Sequence, residues 1–272
     1  MTEKPFLLAQ VSDLHVRAHG ELSYRVVDTG AMLRACVEHI AKLDPQPDAI
    51  VLTGDLTDGG LPEEYAALRE LLAPLRMPLY LIPGNHDSHG ALRAAFPDHA
   101  YLRQSPRFAQ YVIEDHALRI VAADTVIPGE IGGELCEERL AWLDRALAQA
   151  PDRPTVVIMH HPPFTTFIEQ MDRHGLRDPR GLEAVIRRHP QVEALLCGHV
   201  HRPIETRFAG TVARIAPSCA HQVALDVRSG APLKLVMEPP GYRLHAYTPD
   251  TGLVSHTAYV GKYQGPFLFR VA

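Results

Sequence analysis

Little in this chain argues for a stapled, membrane-embedded or nucleic-acid-coating protein. Its 272 residues include four cysteines, Cys36, Cys136, Cys197 and Cys219. None are spaced CxxC, which argues against a zinc ribbon or a thiol redox motif. Isolated thiols in apolar surroundings fit buried residues in a reducing cytoplasm. No apolar stretch approaches the roughly 20 residues of a membrane span, so no membrane partner is expected. The opening Met-Thr-Glu-Lys-Pro has no signal-peptide layout, and the expected location is cytoplasmic. An excess of basic charge is also missing: 27 Lys and Arg face 32 Asp and Glu, for a formal net charge of -5. A nucleic acid polymer would gain no general attraction, leaving room only for a local basic pocket. The glycine-rich stretch from Pro128 to Gly133 lacks the GxGxxG and Walker patterns and does not read as a nucleotide cradle. There is no internal repeat and no low-complexity tract.

What is present is apolar patterning on a large scale. At 46% hydrophobic residues the chain can build one big domain, or one domain with a small appendage. Apolar runs at Phe6–Val11, Ala49–Leu52, Leu79–Ile82, Val156–Met159 and Ala194–Cys197 read as buried strands. Helical spacing links Leu33, Val37 and Ile40, with Val26 a turn or two earlier. It also links Tyr65, Leu68, Leu72 and Leu75 behind Pro62, then Leu140, Leu143 and Leu147, then Leu182, Val185 and Ile186. This alternation predicts a layered α/β architecture. After residue 203 the helical pattern stops. Segments Thr211–Ala216, Leu233–Met237, Tyr242–Tyr247 and Ser255–Val260 read as strands of a second sheet and a β-rich C-terminal extension.

Five polar clusters follow the five buried runs: Asp13-Leu-His15, Gly54-Asp55, Gly84-Asn85-His86-Asp87, His160-His161 and Gly198-His199-Val-His201. Any one alone is ordinary: an Asp after a strand is commonly a turn residue or cap, and a lone His is commonly surface or satisfied core. Together, each at a strand end, they describe a metal centre. Asp13 and His15 sit at i and i+2, which in an extended segment puts both side chains on one side, and His199 and His201 repeat the spacing. With Asp55, Asn85 and His160 the set holds seven candidate donors, too many for one tetrahedral zinc and suited to two ions sharing a carboxylate. Mixed Asp, Asn and His donors without thiolate suit Mn, Fe, Co or Zn, as two divalent or trivalent ions.

These five clusters, with Pro162-Pro163 after the His pair, resemble the calcineurin-like metallophosphoesterase superfamily. His160-His-Pro-Pro163, Met171-Asp172 and Cys197-Gly-His-Val-His201 are similar to the bacterial class III cyclic-nucleotide phosphodiesterases. Pro217-Ser218, His221-Gln-Val223 and Tyr263-Gln-Gly-Pro-Phe267 are similar to its glycerophosphodiesterase branch. The resemblance covers about residues 6 to 268. It implies a four-layer αββα sandwich over residues 1–225 and a β-rich C-terminal extension over 226–272, acting as a cap or an oligomer contact. It implies one metal bound by Asp13, His15, Asp55 and His201 and a second by Asp55, Asn85, His160 and His199, with Asp55 bridging. His161 is then structural or supports a ligand. His86 would face the substrate, stabilising phosphorane charge or protonating the leaving oxygen. Asp87 would orient that loop or cap a helix, and His221 would contact the phosphate or lie in a surface loop. Purple acid phosphatases carry a Tyr ligand three residues after the bridging Asp; Asp58 stands there in this chain, which argues against that variant.

The implied activity is a dinuclear metal-dependent phosphodiesterase for small diesters, 3′,5′-cyclic nucleotides or glycerophosphodiesters, acting through a metal-bound hydroxide. Two divalent ions with Asp13, Asp55 and a hydroxide leave one positive charge, which a diester monoanion neutralises and a monoester dianion overshoots. A phosphomonoesterase or nucleotide pyrophosphatase on the same fold is the alternative. A scaffold that has lost catalysis would lack ligands, and none is missing here. A homo-oligomer is expected. Arg17 and His19 follow the first cluster without a fixed role. His39, His116, His189, His245 and His256 read as surface or partner-bonded, and Trp142 as packing.

Overall fold

In the computed structural model, which describes residues 4–18 and 20–269, neighbouring residues of the middle strands point into two different cores. In chain order the elements are β1 (Phe6–Val11), α1 (Thr29–Ala41), β2 (Ala49–Thr53), α2 (Pro62–Leu72), β3 (Leu79–Ile82), α3 (His89–Ala95), β4 (Tyr111–Ile113) and β5 (Arg119–Ala122). Then come α4 (Glu137–Ala148), β6 (Thr155–Ile158), α5 (Glu169–Asp172), α6 (Arg180–Arg187), β7 (Val192–Cys197), β8 (Ile204–Phe208), β9 (Thr211–Ile215), β10 (Gln222–Val223), β11 (Leu235–Val236), β12 (Gly241–Thr248) and β13 (Gly252–Tyr259). One sheet runs β13-β12-β1-β2-β3 and the other β4-β5-β6-β7-β9-β8. In the second sheet Ile120, Ala122, Val156, Ile158, Ala194 and Leu196 pack in the same core as β1, β2 and helices α1 and α2. The intervening Val121, Val157, Met159, Leu195 and Cys197 pack with Leu143 and Leu147 of α4 and Val185 of α6. The strand period of two thus builds a helix–sheet–sheet–helix sandwich, which is why these runs are apolar at every position.

Local chemistry sets the helix ends. The Asp28 carboxylate accepts from the Ala31 N–H at 2.9 Å to start α1. Pro62 opens α2, and Glu64 reaches back to accept from the Leu61 and Gly59 N–H groups at 3.2 and 2.8 Å. The Leu75 position lies beyond the end of α2, and Val26 is exposed ahead of α1. The strands β4, β5 and β8 were not among the segments read from the sequence.

Apart from the two-stranded pair β10-β11, the strands after residue 203 join the two large sheets. β8 and β9 extend the second sheet, whereas β12 pairs antiparallel with β1 from Phe6↔Tyr247 to Gln10↔Arg243. The division expected at 225/226 therefore falls before two strands that belong to the first sheet, because β1 offers an edge that only a distant strand fills. Leu233–Met237 narrows to the two-residue β11, paired with β10. Buried polar bonds fasten this closure. Gln10 Nε2 donates to the Cys197 carbonyl at 2.8 Å, and its Oε1 accepts from His245 Nε2 at 3.2 Å. His245 Nδ1 then accepts from Ser255 Oγ at 2.6 Å.

Burial, with Arg214 and Arg243 nearby, pushes the His245 imidazole down to about 3. Its folded value lies below the unfolded one of about 6.5, so its contribution is present above pH 6.5 and is lost as pH falls toward 3. By pH 5 the loss is on the order of 2 kcal/mol. In metal-free protein, His245→Gln should reduce the pH slope of the urea midpoint between pH 6.5 and 4.5 by about one proton. Parallel slopes for the two proteins would contradict this.

Candidate metal centre

The polar clusters sit where parallel strands end. Asp13 and His15 follow β1, Asp55 follows β2, Asn85 to Asp87 follow β3, His160 and His161 follow β6, and His199 and His201 follow β7. The carboxyl ends of strands in both sheets thus meet at one place. The turns there are not extended. Asp13, His15, Asp55, His199 and His201 have φ of 53°, 46°, 47°, 73° and 55°. This corrects the expectation of an extended Asp-x-His segment: the left-handed conformation, which Asp and His tolerate better than branched residues, turns each side chain inward. Close approach needs glycine at several of these turns. A Cβ on Gly84 would lie 2.2 Å from Asp55 Oδ1, and one on Gly198 would lie 2.1 Å from Ser12 Oγ.

The site is built almost entirely of buried groups. His15 Nδ1 donates to Asp58 Oδ1 at 3.2 Å and His201 Nδ1 donates to the His221 carbonyl at 3.0 Å. With both Nδ1 atoms so engaged, the two Nε2 atoms face each other at 3.0 Å. Two opposed lone pairs repel unless a cation or a proton lies between them. His15 Nε2 is 3.6 Å from Asp55 Oδ2, and His201 Nε2 is 3.7 Å from Asp13 Oδ1. On the other side, His160 Nδ1 donates to the Thr53 carbonyl at 2.8 Å. Its Nε2 points at Asn85 Oδ1 at 3.2 Å and Asp55 Oδ1 at 3.4 Å. His199 Nδ1 lies 3.0 Å from the same Asn85 oxygen. Asp13 Oδ2 and His199 Nε2 are buried without a hydrogen-bond partner. Concentrated donors, facing ring nitrogens and orphaned polar atoms are what a site for cations contains.

The electrostatics say the same. Burial would raise Asp55, but His160, His86 and His15 outweigh it and hold the carboxyl well below its usual range. Burial pushes Asp13 up to about 6. His160 rises to about 9 because Asp55 and Asp13 overcome the effect of its burial. His199 and His201 fall well below their ordinary value through burial and neighbouring imidazoles. The cluster thus holds a proton where cations would place their own charge.

His86 donates its backbone N–H to Asp55 Oδ1 at 2.9 Å and its Nδ1–H to the Asp58 carbonyl at 2.7 Å, leaving Nε2 as the free ring nitrogen. Asp87 accepts from the Leu56 and Gly84 N–H groups and from Tyr65 OH, at 2.9, 2.8 and 2.8 Å. It orders this loop; the cap of α3 is Ser88 instead. His221, for which a surface loop was one expectation, is buried, with its ring 4.7 Å from that of His201. Burial, with His15 beside it, lowers it to about 4. Asp13, His15, Asp55 and His201 come together as one group, and His199 with the His pair as another. His161, however, spends both ring nitrogens elsewhere, on Thr125 Oγ1 at 2.8 Å and the Ile131 carbonyl at 2.9 Å.

Sequence reasoning gave no role to Asp58, the carboxylate that orients His15, or to the orienting carbonyls of Thr53 and His221. The first was visible as the position three residues after Asp55; carbonyls leave no sequence signal. Arg17 turns to Asp58, Glu21 and Glu64, and His19 lies outside the described residues. His39 meets Tyr242, His116 meets Tyr80, and His189 meets Asp144. Over the centre lies a cavity of about 610 Å³, in the size range of small-molecule sites. His86, Asn85 and His221 line its floor, and Tyr24, Ile131, Met171, Leu233 and Lys234 its walls.

A relative from Arcobacter nitrofigilis, named a probable glycerophosphodiester phosphodiesterase, is 41% identical over 264 residues, 97% of this chain and 96% of its own length. A 3′,5′-cyclic adenosine monophosphate phosphodiesterase from Pseudomonas aeruginosa is 32% identical over 242 residues, covering 89% and 85%. Among solved structures, a purple acid phosphatase from yellow lupin superposes with a TM-score of 0.70 at 14% identity, over 95% of this chain and 52% of that one, a likeness of fold. The model of the calcineurin-like phosphoesterases matches residues 6–203, and the chain belongs to that family.

Proposed function

We propose that this chain is a dinuclear metal-dependent hydrolase of small phosphodiesters. Asp13, His15, Asp55 and His201 would hold one ion and Asp55, Asn85, His160 and His199 the other. The observation that carries this is the convergence of donor atoms, above all the 3.0 Å approach of His15 Nε2 and His201 Nε2. Two bound ions supply Lewis acidity toward the phosphoryl oxygens and make water a nucleophile at neutral pH. His86 faces the cavity with Nε2, oriented by the Asp58 carbonyl, where it would meet the charge that develops on the phosphoryl group or the leaving oxygen. His221, beside it, would contact the phosphate.

Diesters are favoured by the walls. Among the described residues no arginine lines the cavity, and Lys234 is its one lysine. A second negative charge on the phosphoryl group would therefore have few cationic partners. The names of the relatives support glycerophosphodiesters and 3′,5′-cyclic nucleotides as the substrate class. We assign the catalytic unit to residues 1–225 together with β12 and β13. A homo-oligomer is favoured by the exposed Tyr263, Phe267 and Leu268, and the buried thiols Cys36, Cys197 and Cys219 suit a reducing cytoplasm.

The test compares bis(4-nitrophenyl) phosphate with 4-nitrophenyl phosphate on chelated protein reloaded with Mn, Co or Zn. Diester turnover should be at least about tenfold greater, and absent before reloading. Monoester turnover a hundredfold above diester turnover would reverse the reading. Size-exclusion chromatography with light scattering checks the oligomer.

A further inference from the structure

One side of the cavity is formed by loops that have no hydrogen bond to the metal-ligand candidates, yet both hang from the two residues after His160. The first loop is the glycine-rich stretch at 129–133, which puts Ile131, 55% exposed, on the rim. The second is α5 with the turn after it, which bring Met171 and His174 to the same side of the cavity. His161 is fully buried between them and the centre. Its Nε2 faces the Ile131 carbonyl at 2.9 Å and so must carry the proton. Its Nδ1 then accepts from Thr125 Oγ1 at 2.8 Å. Gly133 packs flat on the ring: a Cβ there would fall 2.3 Å from His161 Nδ1.

The second loop is stitched to the first. Gly133 N–H donates to the Gly175 carbonyl at 3.2 Å, and Arg177 N–H to the Gly133 carbonyl at 2.7 Å. Leu176 N–H donates to the Pro162 carbonyl at 3.2 Å, and Arg177 pairs with Glu130 across the same seam. One imidazole and one carbonyl therefore set the height of the whole rim above the centre. Ile131 and Met171 are apolar, and Leu233, 52% exposed, faces the same space from the strap that carries β11.

We propose that His161 is a positioning residue for substrate selection: it holds the Ile131–Met171 rim at the distance where the ester group that is not cleaved packs against it. The ester favoured there has an apolar or planar face rather than a small alkyl group. This rests on the phosphodiesterase reading.

The experiment uses bis(4-nitrophenyl) phosphate and methyl 4-nitrophenyl phosphate, which share a leaving group and differ in the retained ester. In the metal-loaded protein, His161→Ala should lower the aryl-over-methyl ratio of kcat/KM by about tenfold, chiefly through KM for the aryl ester. Metal per chain should stay at the wild-type value. Amide hydrogen exchange at Gly133, Leu176 and Arg177 should accelerate at least about tenfold, since the seam loses its anchor. His161→Gln, which can still donate to the Ile131 carbonyl, should restore both readings. Ile131→Ser should lower the ratio without changing the exchange. Equal losses on both esters, or unchanged exchange in His161→Ala, would overturn the proposal even with an active wild type. So would metal loss in His161→Ala alongside an unaltered ratio in Ile131→Ser. A wild-type protein inactive on both esters would overturn the phosphodiesterase reading itself, and with it the substrate half of this inference.

Discussion

Asp55→Asn is expected to lower diester turnover by about 10³-fold or more and to reduce metal content in both positions. Asp55 turns its two oxygens toward different imidazoles, Oδ1 toward His160 at 3.4 Å and Oδ2 toward His15 at 3.6 Å. An amide at that position turns one oxygen into an N–H donor aimed at an imidazole lone pair, and it removes a negative charge from a fully buried cluster. It also endangers the bond from the His86 N–H to Oδ1 at 2.9 Å, so the loop bearing the His86 imidazole loses its anchor. Elemental analysis together with a Mn titration of turnover checks this. Two ions per chain with turnover within tenfold of wild type would refute a bridging role.

His86→Ala should give a different signature: turnover falling by about 10²–10⁴-fold with metal content near wild type. The contact of residue 86 with Asp55 is made by its backbone N–H, which alanine retains. Only the ring is lost, together with its bond to the Asp58 carbonyl. Asn85→Ala provides the contrast, because the Asn85 oxygen faces both His160 and His199, at 3.2 and 3.0 Å. That variant should lose metal first and turnover as a consequence. Equal metal loss in the two variants would erase the distinction between ligand and catalytic group.

Most of this site could be read from the chain because each donor follows a buried strand, and buried strands announce themselves as apolar runs. Asp13, Asp55, Asn85, His160 and His199 stand within three residues of such a run's end. Left-handed backbone at Asp13, His15, Asp55, His199 and His201 could not be read, since Asp and His are compatible with several turn geometries. The strap that carries Leu233 and Lys234 was readable only as a weak strand, because its place over the centre depends on contacts with α5 and on Arg202 bonding the Val223 carbonyl. The pairing of β12 with β1 was the largest element missed. Gln10 and His245 are 235 residues apart in sequence, and alternation along a strand says which face is buried but not which neighbour lies beside it.

That pairing also sets a schedule for synthesis. The strand that presents Asp13 and His15 leaves the ribosome well ahead of its antiparallel neighbour, Gln10 and His245 being 235 residues apart. Until β12 arrives, β1 is an open edge with free N–H and C=O groups, a template for pairing with other nascent chains. A centre assembled from both sheets therefore cannot mature strand by strand, and a cell that stalls translation before residue 248 holds a chain with every ligand translated and the sheet beneath them unfinished.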